Sequence, residues 1–282
     1  MKMKLKDFFS LLYSRKIVFL SFLVIMLIIL IAVFAPVLTP YSPYVINLKN
    51  RLAGCSGAHL LGTDNQGRDL LTRMFYGARS ALLIAAASVM VGGIIGVFLG
   101  MVAGYFGKWV DYLVMRFTET LLAVPGIILS MAIMLVLGQS TWNLVIAIAI
   151  STIPTYIRVM RSQVMSVKTA DYIASCRIQG GSDWFIMIKH VLPNAISPII
   201  VTATMNVGNS ILSEATLSFL GLGIPVPQAA WGSMVSEGFA ILRSNPRLSI
   251  VPGIAILIIV LAFNIFGDGI RDILDPRIKN NI

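Results

Sequence analysis

The chain has 282 residues, of which 57% are hydrophobic and 12% charged, with a mean hydropathy of +0.87. A soluble domain carries about 25% charged residues, so a soluble globular enzyme, a disordered tail and a collagen-like rod are excluded. The formal net charge of +10, from 22 Lys and Arg against 12 Asp and Glu, reads in so apolar a chain as a topology signal rather than a nucleic-acid surface. At roughly 20 apolar residues per crossing, the spans leave little chain for an extramembrane catalytic domain. The fold class expected is all-α and polytopic, with six membrane helices.

Residues 1–16, with Lys2, Lys4, Lys6, Arg15 and Lys16, form a basic N-terminus expected in the cytoplasm. Residues 17–38 are uncharged and about 33 Å long as a helix, enough for one crossing. A signal peptide is the rival reading. The apolar run is longer than a signal core and no Ala-x-Ala site follows, so an uncleaved first span is the expectation. Residues 39–79 are polar, rich in turn formers, and expected outside. The second span is placed at 80–105. It carries Gly92, Gly96, Gly100 and Gly104 at strict i+4 spacing, which puts four missing side chains on one helix face and predicts a seam for close packing. Mere tolerance of glycine in lipid is the alternative.

Phe106-Gly107-Lys108-Trp109 reads as a short turn. No charge occurs from Thr120 to Ile157, too long for one crossing. Gly138-Gln139-Ser140 divides the stretch into a third span near 112–137 and a fourth near 142–160, with Pro125 and Pro154 as tolerated kinks. Residues 161–190 form a basic loop on the cytoplasmic side. A fifth span at 191–220 carries Asn206, Asn209 and Glu214, a Gly- and Pro-rich loop runs from Gly221 to Leu248, a sixth span covers 249–267, and 268–282 is a charged cytoplasmic tail. In this topology fifteen of the 22 Lys and Arg lie on the cytoplasmic side. The bias favours both termini inside. Cys55 and Cys176 then fall on opposite sides and form no disulfide framework.

Catalytic constellations are missing from the sequence. With two histidines, His59 and His190, no His-based metal cluster forms, and Cys55-x3-His59 supplies too few ligands. Gly107-Lys108 fails as a phosphate loop, because Trp109 follows the lysine and Val102 stands where the first glycine belongs. Glu119 and Glu214 are the carboxylates inside predicted spans. Neither is central, as an ion-coupled carrier would need. Glu119 pairs with Arg116 at i,i+3, and Glu214 stays open between a gate and a helix-end anchor.

The informative segment is 161–193. Asp171 to Gln179 predicts a short helix, stopped by Gly180-Gly181. Ser182 and Asp183 can cap and charge the start of the next one. The short helix presents Tyr172, Ile173 and Ile178 between Lys168 and Arg177. Physical reasoning alone divides evenly between a solvated or lipid-resting loop and a helix that transmits force from a soluble partner.

This segment resembles the cytoplasmic "EAA" loop of permease subunits in binding-protein-dependent ABC importers, whose pattern is Glu-Ala-Ala, three residues, Gly, nine residues, Ile-x-Leu-Pro. Gly180, Leu192 and Pro193 match at that spacing. Ala174, Ser175 and Cys176 stand at the Glu-Ala-Ala positions and His190 at the Ile position, so the charge of the glutamate is missing. Further motifs resemble the C-type permeases of dipeptide, oligopeptide, glutathione and nickel importers. They are His59-Leu60-Leu61-Gly62-Thr63-Asp64 with Gly67-Arg68-Asp69 and Tyr76-Gly77-Ala78-Arg79, then Met115-Arg116 and Leu122-Ala123-Val124-Pro125. Ser218-Phe219-Leu220-Gly221-Leu222-Gly223, Trp231-Gly232, Asn264 with Gly267-Asp268-Gly269, Arg271-Asp272 and Leu274-Asp275-Pro276-Arg277 complete the set.

The resemblance implies a five-helix permease core over 80–267 in a bacterial inner membrane. It implies a heterodimer with a second permease, two cytoplasmic ATPases that bind the ATP and Mg, and an extracytoplasmic solute-binding protein. The chain itself would hold no cofactor or metal and hydrolyse nothing. Asp171, Tyr172, Ala174, Ser175, Cys176, Arg177, Gly180 and Pro193 would form the ATPase-coupling region, and Gly92 to Gly104 a packing seam around the path. The loops His59–Arg79 and Gly221–Gly238 would meet the binding protein or the second permease. Asn206, Asn209 and Glu214 are assigned to the path because polar groups in spans rarely face lipid. A short peptide or peptide-like solute is expected ahead of nickel. The rival classes are an ion-driven secondary carrier and a membrane sensor or scaffold that moves nothing.

Overall fold

The computed structural model describes residues 15–274. The N-terminal lysines Lys2, Lys4 and Lys6, the Asp275-Pro276-Arg277 motif and the rest of the tail lie outside the described residues. Ten α-helices in chain order make up the described chain: α1 (Lys16–Leu38), α2 (Leu70–Phe106), α3 (Lys108–Leu122), α4 (Gly126–Leu137), α5 (Thr141–Lys168), α6 (Asp171–Ile178), α7 (Asp183–Ile186), α8 (Leu192–Phe219), α9 (Trp231–Phe239) and α10 (Arg247–Leu274). A π-helical segment, Met187–Val191, joins α7 to α8. Five helical stretches are long and apolar enough to cross a membrane, and a sixth crossing arises if α3 and α4 count as one span.

That pair departs most from the sequence expectation. The third span expected near 112–137 is two helices that meet at 87°, either one broken span or a re-entrant pair. Pro125 has no N–H to give and forces the residue before it out of the helical region, so it breaks the segment instead of kinking it. Pro36, Pro154, Pro198 and Pro252, by contrast, sit inside continuous helices.

The other differences are boundaries with physical causes. α2 starts at Leu70, ten residues ahead of the expected span, because Asp69 caps it: Thr72 N–H and Thr72 Oγ1 both donate to Asp69 Oδ2, at 2.8 and 2.7 Å. α5 continues to Lys168, so the first turns of the expected loop 161–190 are helical, and α6 runs Asp171–Ile178, one residue short of the expected 171–179. The expected outer loop Gly221–Leu248 contains α9. The expected tail is helical as far as Leu274.

The bundle is organised around α2. Gly92, Gly96, Gly100 and Gly104 lie on its face toward α5. A Cβ built on them would stand 2.9 Å from Ala149 O, 2.8 Å from Ile153 O, 2.5 Å from Ile157 O and 2.9 Å from Arg161 O respectively. Both helices advance four residues per contact, so they run parallel and in register. Small residues permit such backbone approach, and dispersion replaces the hydrophobic drive that lipid cannot supply. On the far side α1 and α10 pack together, with the Phe22 and Phe266 rings 5.7 Å apart.

Candidate functional site

The helix α6 is built from its ends. Asp171 lies in its first turn, favourable to the helix dipole. At the other end Gly180 takes φ +82°, a left-handed conformation that glycine adopts without strain. Gly180 N–H donates to Arg177 O and Gly181 N–H to Cys176 O, both at 3.1 Å, the paired bonds of a Schellman stop. Ser182 then caps α7, accepting from Phe185 N–H at 3.4 Å. Two short helices are thus joined by a turn with little freedom.

One side chain of α2 fixes this turn to the bundle. Tyr105 is buried beneath it. Its hydroxyl donates to Asp183 Oδ1 at 2.7 Å and accepts from Arg177 Nη2 at 2.9 Å. Arg177 also lies 3.8 Å from Asp183. Lys168, at the end of α5, donates to the Tyr105 carbonyl oxygen. The Lys168 and Arg177 cations stand 5.5 and 5.6 Å from the centre of the Tyr105 ring, within range of its negative face. Below the hydroxyl, Ile173 reaches inward into an apolar cluster with Val164, Ile186 and Met187. Trp184 stacks on Phe98 of α2 at 6.3 Å.

The remaining face of α6 is open. Asp171, Tyr172, Ala174, Ser175, Arg177 and Gly180 are exposed and Cys176 is half-buried. Tyr172 is 44% and Ile178 87% accessible. Ser175 Oγ donates to the Asp171 carbonyl at 3.0 Å, and Cys176 Sγ lies 3.7 Å from His190 Nε2. Pro193 sits apart from the other seven, in the first turn of α8 beyond the π segment. Its ring removes an N–H from a helix that runs unbroken from Asp183 to Phe219, and Asn194 Nδ2 donates to the neighbouring His190 carbonyl at 2.6 Å.

The residues assigned from sequence to the path do not form one group. Asn206 and Glu214 are buried inside this single chain, whereas Asn209 is exposed on another face of α8. Glu119 pairs with Arg116 at 3.4 Å on an exposed face of α3.

At the opposite end of α2 the segments 59–79 and 221–238 meet each other. Asp64, Arg68 and Arg73 are buried together. Arg68 Nε and Arg73 Nη1 donate to Asp64 Oδ2 at 2.7 and 2.5 Å, and Arg68 Nη2 and Arg73 Nη1 reach Glu237 of α9 at 3.0 and 3.1 Å. Burial alone would raise the Asp64 carboxyl. The Arg68 N–H, the Arg73 side chain and the two guanidinium charges outweigh it and hold the group below the usual carboxylate range. Trp231 Nε1 donates to Met74 O at 2.9 Å, seated where Gly77 leaves room. His59 Nδ1 lies 2.9 Å from Asp69 Oδ1, which ties the loop to the capping residue of α2.

Sequence reasoning missed Tyr105 and Glu237. Tyr105 ends the glycine ladder one residue after Gly104, where the helix meets the turn, and that placement was its available signal. Glu237 had none, because its partners stand more than 160 residues earlier.

The comparisons with known proteins cover nearly the whole chain. Residues 96–280 match the family described as binding-protein-dependent transport system inner membrane component, and residues 4–54 match the N-terminal membrane domain of oligopeptide transport permease C. The dipeptide transport system permease protein of Alkalihalophilus pseudofirmus is 42% identical over 98% of this chain and 90% of its own length. The glutathione transport system permease protein of Pectobacterium atrosepticum is 42% identical over 92% of this chain and 86% of its own. Among solved structures, an inward-facing form of the methionine ABC transporter MetNI aligns with a TM-score of 0.58 at 17% identity, over 73% of this chain and 98% of that one, and shares the fold. The chain belongs to the binding-protein-dependent transport system inner membrane component family, the transmembrane permease subunits of ABC importers.

Proposed function

We propose that the chain forms half of the translocation path for a short peptide or peptide-like solute in a bacterial inner membrane, with both termini in the cytoplasm. It pairs with a second permease, takes solute from an extracytoplasmic binding protein, and is driven by two ATPases that bind the ATP and Mg. The permease hydrolyses nothing itself. The names of its relatives, a dipeptide permease and a glutathione permease, support a peptide-like solute over nickel.

The observation that carries the coupling is the mounting of α6. Its outer face offers Tyr172, Ala174, Ser175 and Ile178 to a partner, while its inner side is bonded through Arg177 and Tyr105 to α2. A push on α6 therefore moves α2, and the in-register contact with α5 moves both together. Rigid-body displacement of packed helices is the ordinary way such a signal travels. The missing glutamate of the loop leaves Arg177 as a charged group on α6 beside the apolar contacts. Gly92 to Gly104 give the lever its stiffness.

The test places single cysteines at Ala174 and at other positions from Asp171 to Ile178 and crosslinks them to the co-expressed ATPase in membranes. Crosslinks at exposed positions, with none at Ile173, are expected. The absence of crosslinks throughout the segment would reject the coupling assignment. ATP-dependent uptake of di- and tripeptides by the reconstituted complex tests the solute class, and uptake of nickel in their place would overturn it.

A further inference from the structure

Along α8, Asn206, Ser210, Glu214 and Ser218 recur every four residues and so share one helix face. All four are buried, at 7%, 1%, 0% and 4% exposure. The outer end of the stripe is paired within the protein: Ser218 Oγ donates to Glu214 Oε1 at 2.7 Å and accepts from Ile224 N–H at 3.4 Å. The rest is not. Asn206 Nδ2, Ser210 Oγ and Glu214 Oε2 have no hydrogen-bond partner among the described residues. Neither has the hydroxyl of Tyr156, fully buried on α5, which faces Asn206 across the helix interface without meeting it in bonding geometry.

The seam lies inside one subunit. The Tyr156 ring rests on Gly93 of α2 at 3.7 Å from its ideal Cβ position, and Gly208, on a different face of α8, is the residue that meets Phe263 and Asn264 of α10. The polar stripe therefore runs in the angle between α2, α5 and α8. Its groups are covered by this chain alone, so neither a second permease nor a peptide can reach them. Buried polar atoms find partners or bear the full loss of hydration. Four of them over about two helical turns, roughly 12 Å along the axis, need a ligand that is small, polar, and both donor and acceptor.

We propose that this seam holds a short file of water molecules, each shared between two or more of Tyr156 Oη, Asn206 Nδ2, Ser210 Oγ and Glu214 Oε2. Internal waters of this kind bond groups that have no protein partner. The arrangement gives α8 a hydrated face against α2 and α5. A shift of α8 along them exchanges water bonds and breaks no direct side-chain pair. α8 continues through the π segment and α7 to the α6 turn, so the hydrated face and the part held by Tyr105 lie along one helical rod.

X-ray hydroxyl-radical footprinting of the assembled transporter in lipid nanodiscs tests this, because radicals arise from bound water and mark the side chains beside it. Tyr156 is expected to be oxidised at least ten-fold faster than Met134, which is as deeply buried but lies in a separate apolar cluster. Asn206→Leu and Ser210→Ala are each expected to lower the Tyr156 rate several-fold, while Ser213→Ala, whose hydroxyl is bonded to its own helix, leaves it unchanged. A Tyr156 rate no greater than that of Met134 overturns the proposal, as does a Tyr156 rate unmoved by both seam variants. If the variants fail to assemble, the wild-type ratio of Tyr156 to Met134 decides alone.

Discussion

Gly100 of α2 and Ile157 of α5 approach so closely that a Cβ on the glycine would stand 2.5 Å from the Ile157 carbonyl oxygen and 3.0 Å from its Cα. Both atoms are backbone and neither can turn aside. Gly93, about two turns away on the same helix, differs: its Cβ would meet only the edge of the Tyr156 ring, at 3.7 Å. Gly100→Ala is expected to part the two helices and cost about 1–3 kcal/mol. Gly93→Ala should be neutral, or gain part of the roughly 1 kcal/mol by which alanine outranks glycine in a helix. Thermal unfolding of the purified complex checks the contrast, and equal shifts for the two variants would contradict the register described for α2 and α5.

The same helix ends at Tyr105, whose hydroxyl bridges Arg177 and Asp183. Tyr105→Phe removes both bonds and keeps the ring under the two cations. Loss of the pair should weaken the mounting by about 1–2 kcal/mol. Amide exchange is expected to quicken across residues 171–186 and stay unchanged across 80–100, while ATP-driven uptake falls. Uptake equal to wild type with exchange accelerated would separate the mounting from the coupling.

At the other end, Asp64 is the more deeply buried of the two carboxylates, with Glu237, that compensate the buried Arg68 and Arg73. Asp64→Asn leaves the two guanidinium groups with Glu237 as their one carboxylate partner and should cost about 3–5 kcal/mol, the range for breaking a buried pair. The pH dependence has a definite sign. The folded carboxyl titrates below its unfolded value of about 4, so its stabilisation is fully present above pH 4 and is lost as the pH falls through the lower folded value. Unfolding followed from pH 5 down to pH 2 should therefore show a decline that the Asp64→Asn variant lacks. A variant that declines in parallel with wild type would remove Asp64 as its source.

Much of this was legible in residue order. The glycine ladder, the Asp171 start, the Gly180 stop and the Ser182 cap are local signals, each acting within a few residues of itself. The family resemblance rested on motifs equally local. What could not be read was tertiary. The segments around Asp64 and Glu237 are joined through Arg68 and Arg73, and no spacing announces a pair so far apart in sequence. Apolar composition also hid the break at Pro125, since the residues on both sides are equally suited to lipid and hydropathy is blind to an 87° bend. Asn206 and Glu214 were recognised as unusual because they are polar in a span. Which neighbour they face is set by how α8 rotates against α2 and α5.

Gly180 offers a test in which side-chain crowding plays no part. Nothing lies within 4 Å of a Cβ built there, yet its φ is +82°. Any effect of substitution must come from the backbone. A non-glycine residue in the left-handed region costs roughly 1–2 kcal/mol, and asparagine less than alanine because its side chain bonds locally. Gly180→Ala should loosen the stop that aligns Arg177 with Asp183, and Gly180→Asn should loosen it less. ATP-driven uptake is expected to fall in the order glycine, asparagine, alanine, valine, with the melting temperature of the membrane bundle nearly constant, since α6 contributes one inward residue, Ile173, to the core. A series in which all three variants transport like wild type would show that the angle between α6 and α7 does not set the coupling.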